Sequence, residues 1–338
     1  MTRVLLTGGS GFIAAHVLDV LLQRGHSVVT TVRSQEKADR IKAAHPNHGK
    51  DKLDFAIVPD IAQEGAFDAA VQSSPPIEAV IHTASPLNLN ITDVQKEVLD
   101  PAIVGTVGLL KSAHAFAPTV TRVVVLSSFA AMIDLSLGDR PAHTYSAADW
   151  NPISHAEALA DAVAGYRGSK TFAERAAWEY VERERPGFAL TTLCPPFVFG
   201  PVVHYLSSLD ALNNSNRRFL AFLAGQMLPT TFYAWVDVRD VALGHVKAME
   251  DPRAAGERIF FTSDEQFCNK DILEIISREF PEYRARLPPT EQWDSVGYPG
   301  GGVYKLNSTR AREILGGDFT PLEKCVVDTI GVLQTFDV

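Results

Sequence analysis

The chain has 338 residues, 46% of them hydrophobic and 21% charged. That is ordinary globular usage, long enough for two domains of roughly 150 residues or one large α/β domain with an attached lobe, and it excludes a low-complexity or collagen-like chain. Lysine and arginine number 31 against 40 aspartates and glutamates, a net charge of −9, which speaks against a protein that wraps nucleic acid but leaves room for a small basic pocket around one phosphorylated cofactor.

Val4–Thr7 reads as a strand and Phe12–Arg24 as an amphipathic helix. Ser27–Val32 is the next strand, and Gln35–Ala44 a charged helix. Leu53–Val58 and Ala79–Ala84 read as strands, and Lys96–Ala115 as a long helix. Arg122–Ser128 (RVVVLSS) is a buried strand, Gly168–Arg185 a second long helix, and Ala189–Cys194 a further strand. Such alternation implies βαβ units, hence an α/β fold with a Rossmann-type, doubly wound parallel sheet and helices on both faces. After Pro195 the pattern loosens, and residues 197–235 are rich in Gly, Pro, Asn and aromatics. Val236–Glu250 reads as a helix and Arg258–Thr262 as a strand. Asn269–Phe280 follows as a helix that Asn269 would cap. Ser308–Leu315 and Pro321–Gln334 read as terminal helices.

The three cysteines (Cys194, Cys268, Cys325) are odd in number and far apart, so no disulfide framework or metal knuckle follows from them. No apolar run approaches the ~18 residues of a spanning helix, and Val4-Leu5-Leu6 is too short for a signal-peptide core. The expectation is a cytoplasmic protein with no membrane and no nucleic-acid partner.

The loop Thr7-Gly8-Gly9-Ser10-Gly11 joins a strand to a helix at the head of the chain. Gly8 permits the sharp turn, Gly11 lets backbone approach a pyrophosphate, and Ala14 keeps helix and strand close. The helix N-terminus then offers N–H groups and a positive dipole to phosphates. At the end of the second strand stands Arg33, with Lys37 one helical turn on, where an NAD site would carry an acid. Two cations there suit a 2′-phosphate, hence NADP(H). Asp60 and Ile61 follow the third strand and border the adenine, although Asp60 also suits a helix cap. Thr83, Ala84 and Ser85, small residues closing the fourth strand, let a cofactor lie across the strand ends.

Ser128 ends the fifth strand, and Tyr166 and Lys170 lie at i and i+4 on one helix face. A tyrosine ordinarily titrates near 10, and a lysine one turn away would lower that value and make it an acid–base group.

These residues resemble the extended short-chain dehydrogenase/reductases. Within them, TGGSGFIAAH, VRSQEKA, IVPDI, HTASP, LSSFAAM, YRGSKTFAERAAWE, CPPFVFGP and WVDVRDVA are similar to the dihydroflavonol reductase, cinnamoyl-CoA reductase and methylglyoxal (aldehyde) reductase group. The likeness spans nearly the whole chain and is weakest over residues 135–160 and 202–232. It implies NADPH-dependent reduction of an aldehyde or ketone, with Ser128, Tyr166 and Lys170 catalytic and Tyr166 the proton donor. It also implies that Gly8, Gly9, Ser10, Gly11, Phe12 and Ile13 hold the pyrophosphate and that Lys170 holds the nicotinamide ribose. Pro195 and Val198 would abut the nicotinamide, and Ser215 would make a further cofactor contact. Pro196 departs from the pattern, which usually has a β-branched residue there.

Residues 1–196 are thus expected to form an NADP-binding domain, with 236–263 returning to it. Residues 197–235 and 264–338 are expected to form a substrate-binding lobe. Pro86, Leu87, Phe129, Phe197, Phe232, Tyr233 and Trp235 are candidates for an apolar substrate pocket. His45 and His48 sit in a loop and make no metal motif, and no metal is expected. Cys194 reads as a buried strand residue, Arg217-Arg218 as a solvated turn, and Asp237 and Asp240 as helix-entry and ion-pair residues. Two rival readings are an NAD-dependent sugar-nucleotide epimerase or dehydratase and a non-catalytic NADP-sensing protein. Arg33 and the intact Tyr–Lys pair oppose them in turn. The partner is a small carbonyl compound, and the protein a monomer or homodimer.

Overall fold

A computed structural model describes residues 1–85, 91–203, 206 and 208–336. Seven parallel strands form the main sheet: β1 (Arg3–Thr7), β2 (Ser27–Val32), β3 (Leu53–Ile57), β4 (Ala79–His82), β5 (Arg122–Leu126), β7 (Ala189–Leu193) and β10 (Arg258–Ile259). Two parallel pairs stand outside it. One joins β6 (Thr144–Tyr145) to β11 (Lys305–Leu306), the other β8 (Phe197–Phe199) to β9 (Trp235–Asp237). Among the helices, α1 (Phe12–Gln23) and α2 (Gln35–Ala44) lie in the first half, with the short α3 (Asp68–Val71). The long α4 (Asp100–Phe116), a single turn α5 (His155–Ala158) and α6 (Ala162–Glu184) follow. The second half holds α7 (Arg217–Leu223), α8 (Val238–Glu250), α9 (Asn269–Glu279), α10 (Thr309–Leu315) and α11 (Leu322–Gln334).

The strands are buried because both faces are covered. Val4 and Leu6 face one core with α1 and α8, while Leu5 faces the other with Leu109, Leu110 and Ala177. Successive side chains point to opposite faces, so a strand covered on both sides must be apolar throughout. The sheet order is β10-β7-β5-β4-β1-β2-β3. The chain winds outward from β1 to β3, then crosses back to lay β4 beside β1. That reversal opens a crevice at the carboxyl ends of β1 and β4, the place where such sheets bind ligands.

Several boundaries differ from expectation for local reasons. Helix α6 starts six residues before Gly168, because Asp161 caps it, accepting from the N–H groups of Val163 and Ala164 at 2.8 Å. Gly165 and Gly168 do not break it. A Cβ at Gly168 would stand 2.4 Å from the Ala158 methyl, so the glycine lets α5 pack onto the helix. Val236 belongs to β9 rather than to a helix, and Asp237 caps α8 by accepting from Arg239 N. Cys268, not Asn269, is the N-cap of α9. The Asn269 side chain is spent elsewhere, donating to the Leu228 carbonyl and accepting from Arg218. Long helix α4 is entered through a π-helical turn, Gln95–Leu99, with a proline in its first turn. Among the described residues, no helix is long and apolar enough to cross a membrane.

Candidate active site

The crevice is lined first by the loop after β1. Gly8 has φ +76°, a left-handed conformation that favours glycine. A Cβ on Gly9 would stand 2.0 Å from the Thr30 hydroxyl, and one on Gly11 3.2 Å from the Gly8 carbonyl. The glycines thus let the loop fold tightly against β2 and onto itself, and it delivers the first turn of α1 to the crevice. Loops β1 and β4 are tied together by Thr7. Its hydroxyl oxygen accepts from the N–H groups of Thr83 and Ala84, both at 3.1 Å. Ser85 stands beside them, partly exposed. Pro86 and Leu87 lie outside the described residues.

Arg33 and Lys37 are both exposed at the end of β2 and the start of α2. Among the described residues, neither has an acidic partner. Asp60 accepts from Ala62 N at 2.8 Å, which places it in a tight turn after β3 and outside any helix cap. Ile61 packs against Gly105 of α4. Val198 lies in β8, and its carbonyl accepts from the Ser215 hydroxyl at 2.6 Å. Pro195, directly after β7, accepts from Phe129 N at 2.8 Å and so ties the β5 and β7 ends together.

The two serines after β5 diverge. The Ser127 hydroxyl donates inward to Glu174 Oε2 at 2.6 Å. Ser128 turns the other way and receives the Tyr166 hydroxyl at 3.5 Å, a long contact of a kind that tightens in a substrate complex. Ser128 also accepts from Ala130 N, which fixes its rotamer. Burial pushes the Tyr166 phenol above its ordinary value, opposed by the bond to Ser128. In the free protein burial thus outweighs the expected lowering, and the phenol holds its proton at neutral pH. Burial pulls Lys170 down to about 8, opposed by the charge of Glu174. The ammonium has no hydrogen-bond partner among the described residues.

Glu174, one turn after Lys170 on α6, carries no local signal of a role. It is almost fully buried and accepts from Ser127, from Thr192 Oγ1 at 2.7 Å and from Arg258 Nε at 2.8 Å. Arg258 also stacks over Trp150, 3.7 Å from the ring centre. Its partners come from β5, β7 and β10, strands that are remote in sequence, so only the fold brings them together. Cys194 is buried beside this carboxylate, and both burial and the charge raise its thiol, which makes it a poor nucleophile.

The expected aromatic pocket divides. Phe197 and Phe232 are partly exposed, with ring centres 5.3 Å apart. Phe129 is 2% exposed and stacks on Phe260 at 4.9 Å, a floor beneath the site. Tyr233 is mostly buried beside Tyr304. Trp235 is a correction: it is fully buried, stacked on Phe199 in the main core, and presents no surface to a ligand. Arg217-Arg218 is not a solvated turn but the start of α7. Arg218 lies 4.7 Å over the Phe197 ring, and burial lowers its guanidinium to about 10. Asp237 and Arg239 form an ion pair that reaches Asp328. His45 is bound to Asp19 at 2.8 Å. No group of three metal-ligating side chains occurs among the described residues.

Residues 4–261 match the model described as the NAD dependent epimerase/dehydratase family. The chain is 42% identical to the ketoreductase azaE of Aspergillus niger, over 97% of this chain and 96% of that one. It is 34% identical to the NADPH-dependent methylglyoxal reductase GRE2 of Saccharomyces cerevisiae, over 99% and 98% of the two. The crystal structure of yeast methylglyoxal/isovaleraldehyde reductase Gre2 complexed with NADPH superposes with a TM-score of 0.91, at 34% identity and over 99% of both chains.

Proposed function

The chain belongs to the NAD dependent epimerase/dehydratase family, and we propose that within it the protein reduces an aldehyde or ketone to an alcohol at the expense of NADPH. The observation that carries this is the meeting of Tyr166 with Ser128 after β5, with Lys170 one turn further along α6 beside the ends of β4 and β5. The loop fits a dinucleotide, since its glycines fold it tightly against β2 and leave backbone N–H groups at the start of α1 to face phosphates. Lys170, an ammonium without a hydrogen-bond partner among the described residues, fits the ribose hydroxyls. Arg33 and Lys37, exposed and without acidic partners among the described residues, fit the 2′-phosphate.

Bound NADPH supplies the hydride. The protein supplies position and protons. Tyr166 donates its phenolic proton to the carbonyl oxygen as charge develops there, and Ser128 donates a second hydrogen bond to the same oxygen. The Lys170 ammonium stabilises the phenolate that Tyr166 leaves behind. Burial keeps Tyr166 protonated before the reaction, as a proton donor requires. Phe197 and Phe232 offer an apolar wall, which favours hydrophobic or α-dicarbonyl substrates over sugars.

The test is to mix purified protein with NADPH and a panel of aldehydes, α-dicarbonyls and aryl ketones, with NADH in parallel. Loss of the reduced-nicotinamide absorbance with NADPH and little with NADH is the expected result. Turnover of a sugar nucleotide with NAD, and of no carbonyl with NADPH, would overturn the proposal.

A further inference from the structure

His82 ends β4, between the Thr7 hydroxyl and the rear of Lys170. It is 2% exposed. Its Nδ1 lies 2.8 Å from Thr7 Oγ1. That oxygen already accepts from two backbone N–H groups, Thr83 and Ala84. A hydroxyl has two acceptor sites and one hydrogen, so the hydrogen must go to His82 Nδ1. Nδ1 is therefore the acceptor. Burial, together with the nearby Lys170 charge, lowers the imidazole to about 3 and keeps it neutral. A neutral ring with a bare Nδ1 carries its proton on Nε2. That Nε2–H is buried and has no hydrogen-bond partner among the described residues, a deficit worth about 1–3 kcal/mol if nothing met it.

A small cavity adjoins the ring. It is lined by His82, Thr106, Ser127, Lys170 and Glu174, with Val125 and Leu126 of β5. Its free space is about 10 Å³, room for the centre of one water molecule. The lining supplies two donors, His82 Nε2–H and the Lys170 ammonium. It also supplies acceptors in Thr106 and in Ser127, whose own hydrogen is committed to Glu174. Those are the two-to-four polar partners that hold a buried water in place.

We propose that His82 anchors one ordered water behind Lys170, and that this water holds the lysine ammonium in register with Tyr166. The water oxygen accepts from His82 and Lys170, and its hydrogens go to the acceptors opposite. His82 is a positioning residue, acting on the reaction only through the water and Lys170. Its catalytic consequence rests on the reductase reading; the water site itself does not. The titratable and charged groups around Lys170 are Tyr166 and Glu174 on its own helix, His82 on β4, Cys194 after β7 and Arg258 on β10. The water favours the charged ammonium, so its loss moves the basic limb of the activity profile to lower pH.

Two substitutions separate this role from the bond to Thr7. His82→Asn keeps an acceptor where Nδ1 stands and removes the donor from the cavity. His82→Gln carries an N–H to the reach of Nε2. With NADPH and a small aldehyde, His82→Asn is expected to lower kcat about tenfold and shift the basic limb down by about 1 pH unit, the scale of one hydrogen bond to a charge. His82→Gln is expected to restore both. Two readouts need no turnover. A high-resolution crystal structure of the free protein should place a water within 3.2 Å of His82 Nε2 and Lys170 Nζ. Nitrogen NMR should find the His82 proton on Nε2 from pH 5 to 8. An empty cavity, a proton on Nδ1, or an unshifted profile in His82→Asn overturns the proposal. If the wild type reduces no carbonyl, the reductase reading fails, and the crystal and NMR results still decide the water site.

Discussion

The Tyr166 hydroxyl meets Ser128 Oγ at 3.5 Å, although 38 residues separate them, while the adjacent Ser127 hydroxyl turns away to Glu174. One serine is thus offered to substrate and the other to the fold. Ser128→Ala should lower kcat by about 10²-fold, the scale of one lost donor to a developing oxyanion. Ser127→Ala should leave kcat within a few-fold and lower stability by about 1 kcal/mol. Steady-state kinetics and urea unfolding of both variants check the pair. Equal kinetic losses would contradict the division.

Arg33 is exposed and lacks an acidic partner among the described residues, so its removal leaves no buried charge behind. Arg33→Ala should raise KM for NADPH about tenfold or more, the scale of one hydrogen bond to a charged group, and leave that for NADH unchanged. The effect should shrink with added salt, because the site is exposed. An equal rise for both cofactors would remove the 2′-phosphate from the explanation.

Glu174 and Arg258 form a buried pair, with side chains 1% and 9% exposed. Breaking such a pair leaves a charge without compensation, a loss of about 3 kcal/mol or more. Glu174→Gln should therefore destabilise the fold by that order in urea unfolding. A variant within 0.5 kcal/mol of wild type, ~ the scatter of surface substitutions, would contradict it.

Buried neutral imidazoles make this fold sensitive to acid. Burial lowers His245 to about 4 and His82 to about 3, from 6.5 in the unfolded chain. Between those values the unfolded chain binds protons that the folded chain refuses. Their contribution is complete above about 6.5 and is lost as pH falls towards 4. Asp240 runs the other way: burial raises it from 3.8 to about 6, so its share is full below 3.8 and lost as pH rises through 6. The histidines make the larger change. Stability should fall by about 3 kcal/mol from pH 7 to pH 5. His245→Leu, which also removes a buried Nε2 unpaired among the described residues, should flatten that fall by about half. Urea unfolding at the two pH values decides it, and an unchanged fall in the variant would contradict the assignment.

The part of this architecture legible in sequence is the part written locally. Ser27–Val32 and Gln35–Ala44 match their elements to the residue: a β-branched run marks the strand, and the charged stretch that marks the helix begins directly after its cap, Ser34. The glycine loop and the Tyr166–Lys170 spacing are likewise local. The start of α6 was hidden by glycines that serve packing, and β9 by its partnership with β8, 38 residues away. Trp235 reads as a pocket residue because a sequence does not say that the three-residue β9, paired with β8, is buried throughout. Glu174, Arg258 and the tautomer of His82 were illegible for one reason: their partners are assembled by strand order, which no local pattern encodes.

The account turns on Tyr166 as the proton donor. The direct measurement is NADPH oxidation by wild type and Tyr166→Phe with the same aldehyde, alongside NADPH binding by both. The account predicts a loss of about 10³-fold in turnover with binding within a few-fold of wild type. Wild-type turnover in Tyr166→Phe would contradict it.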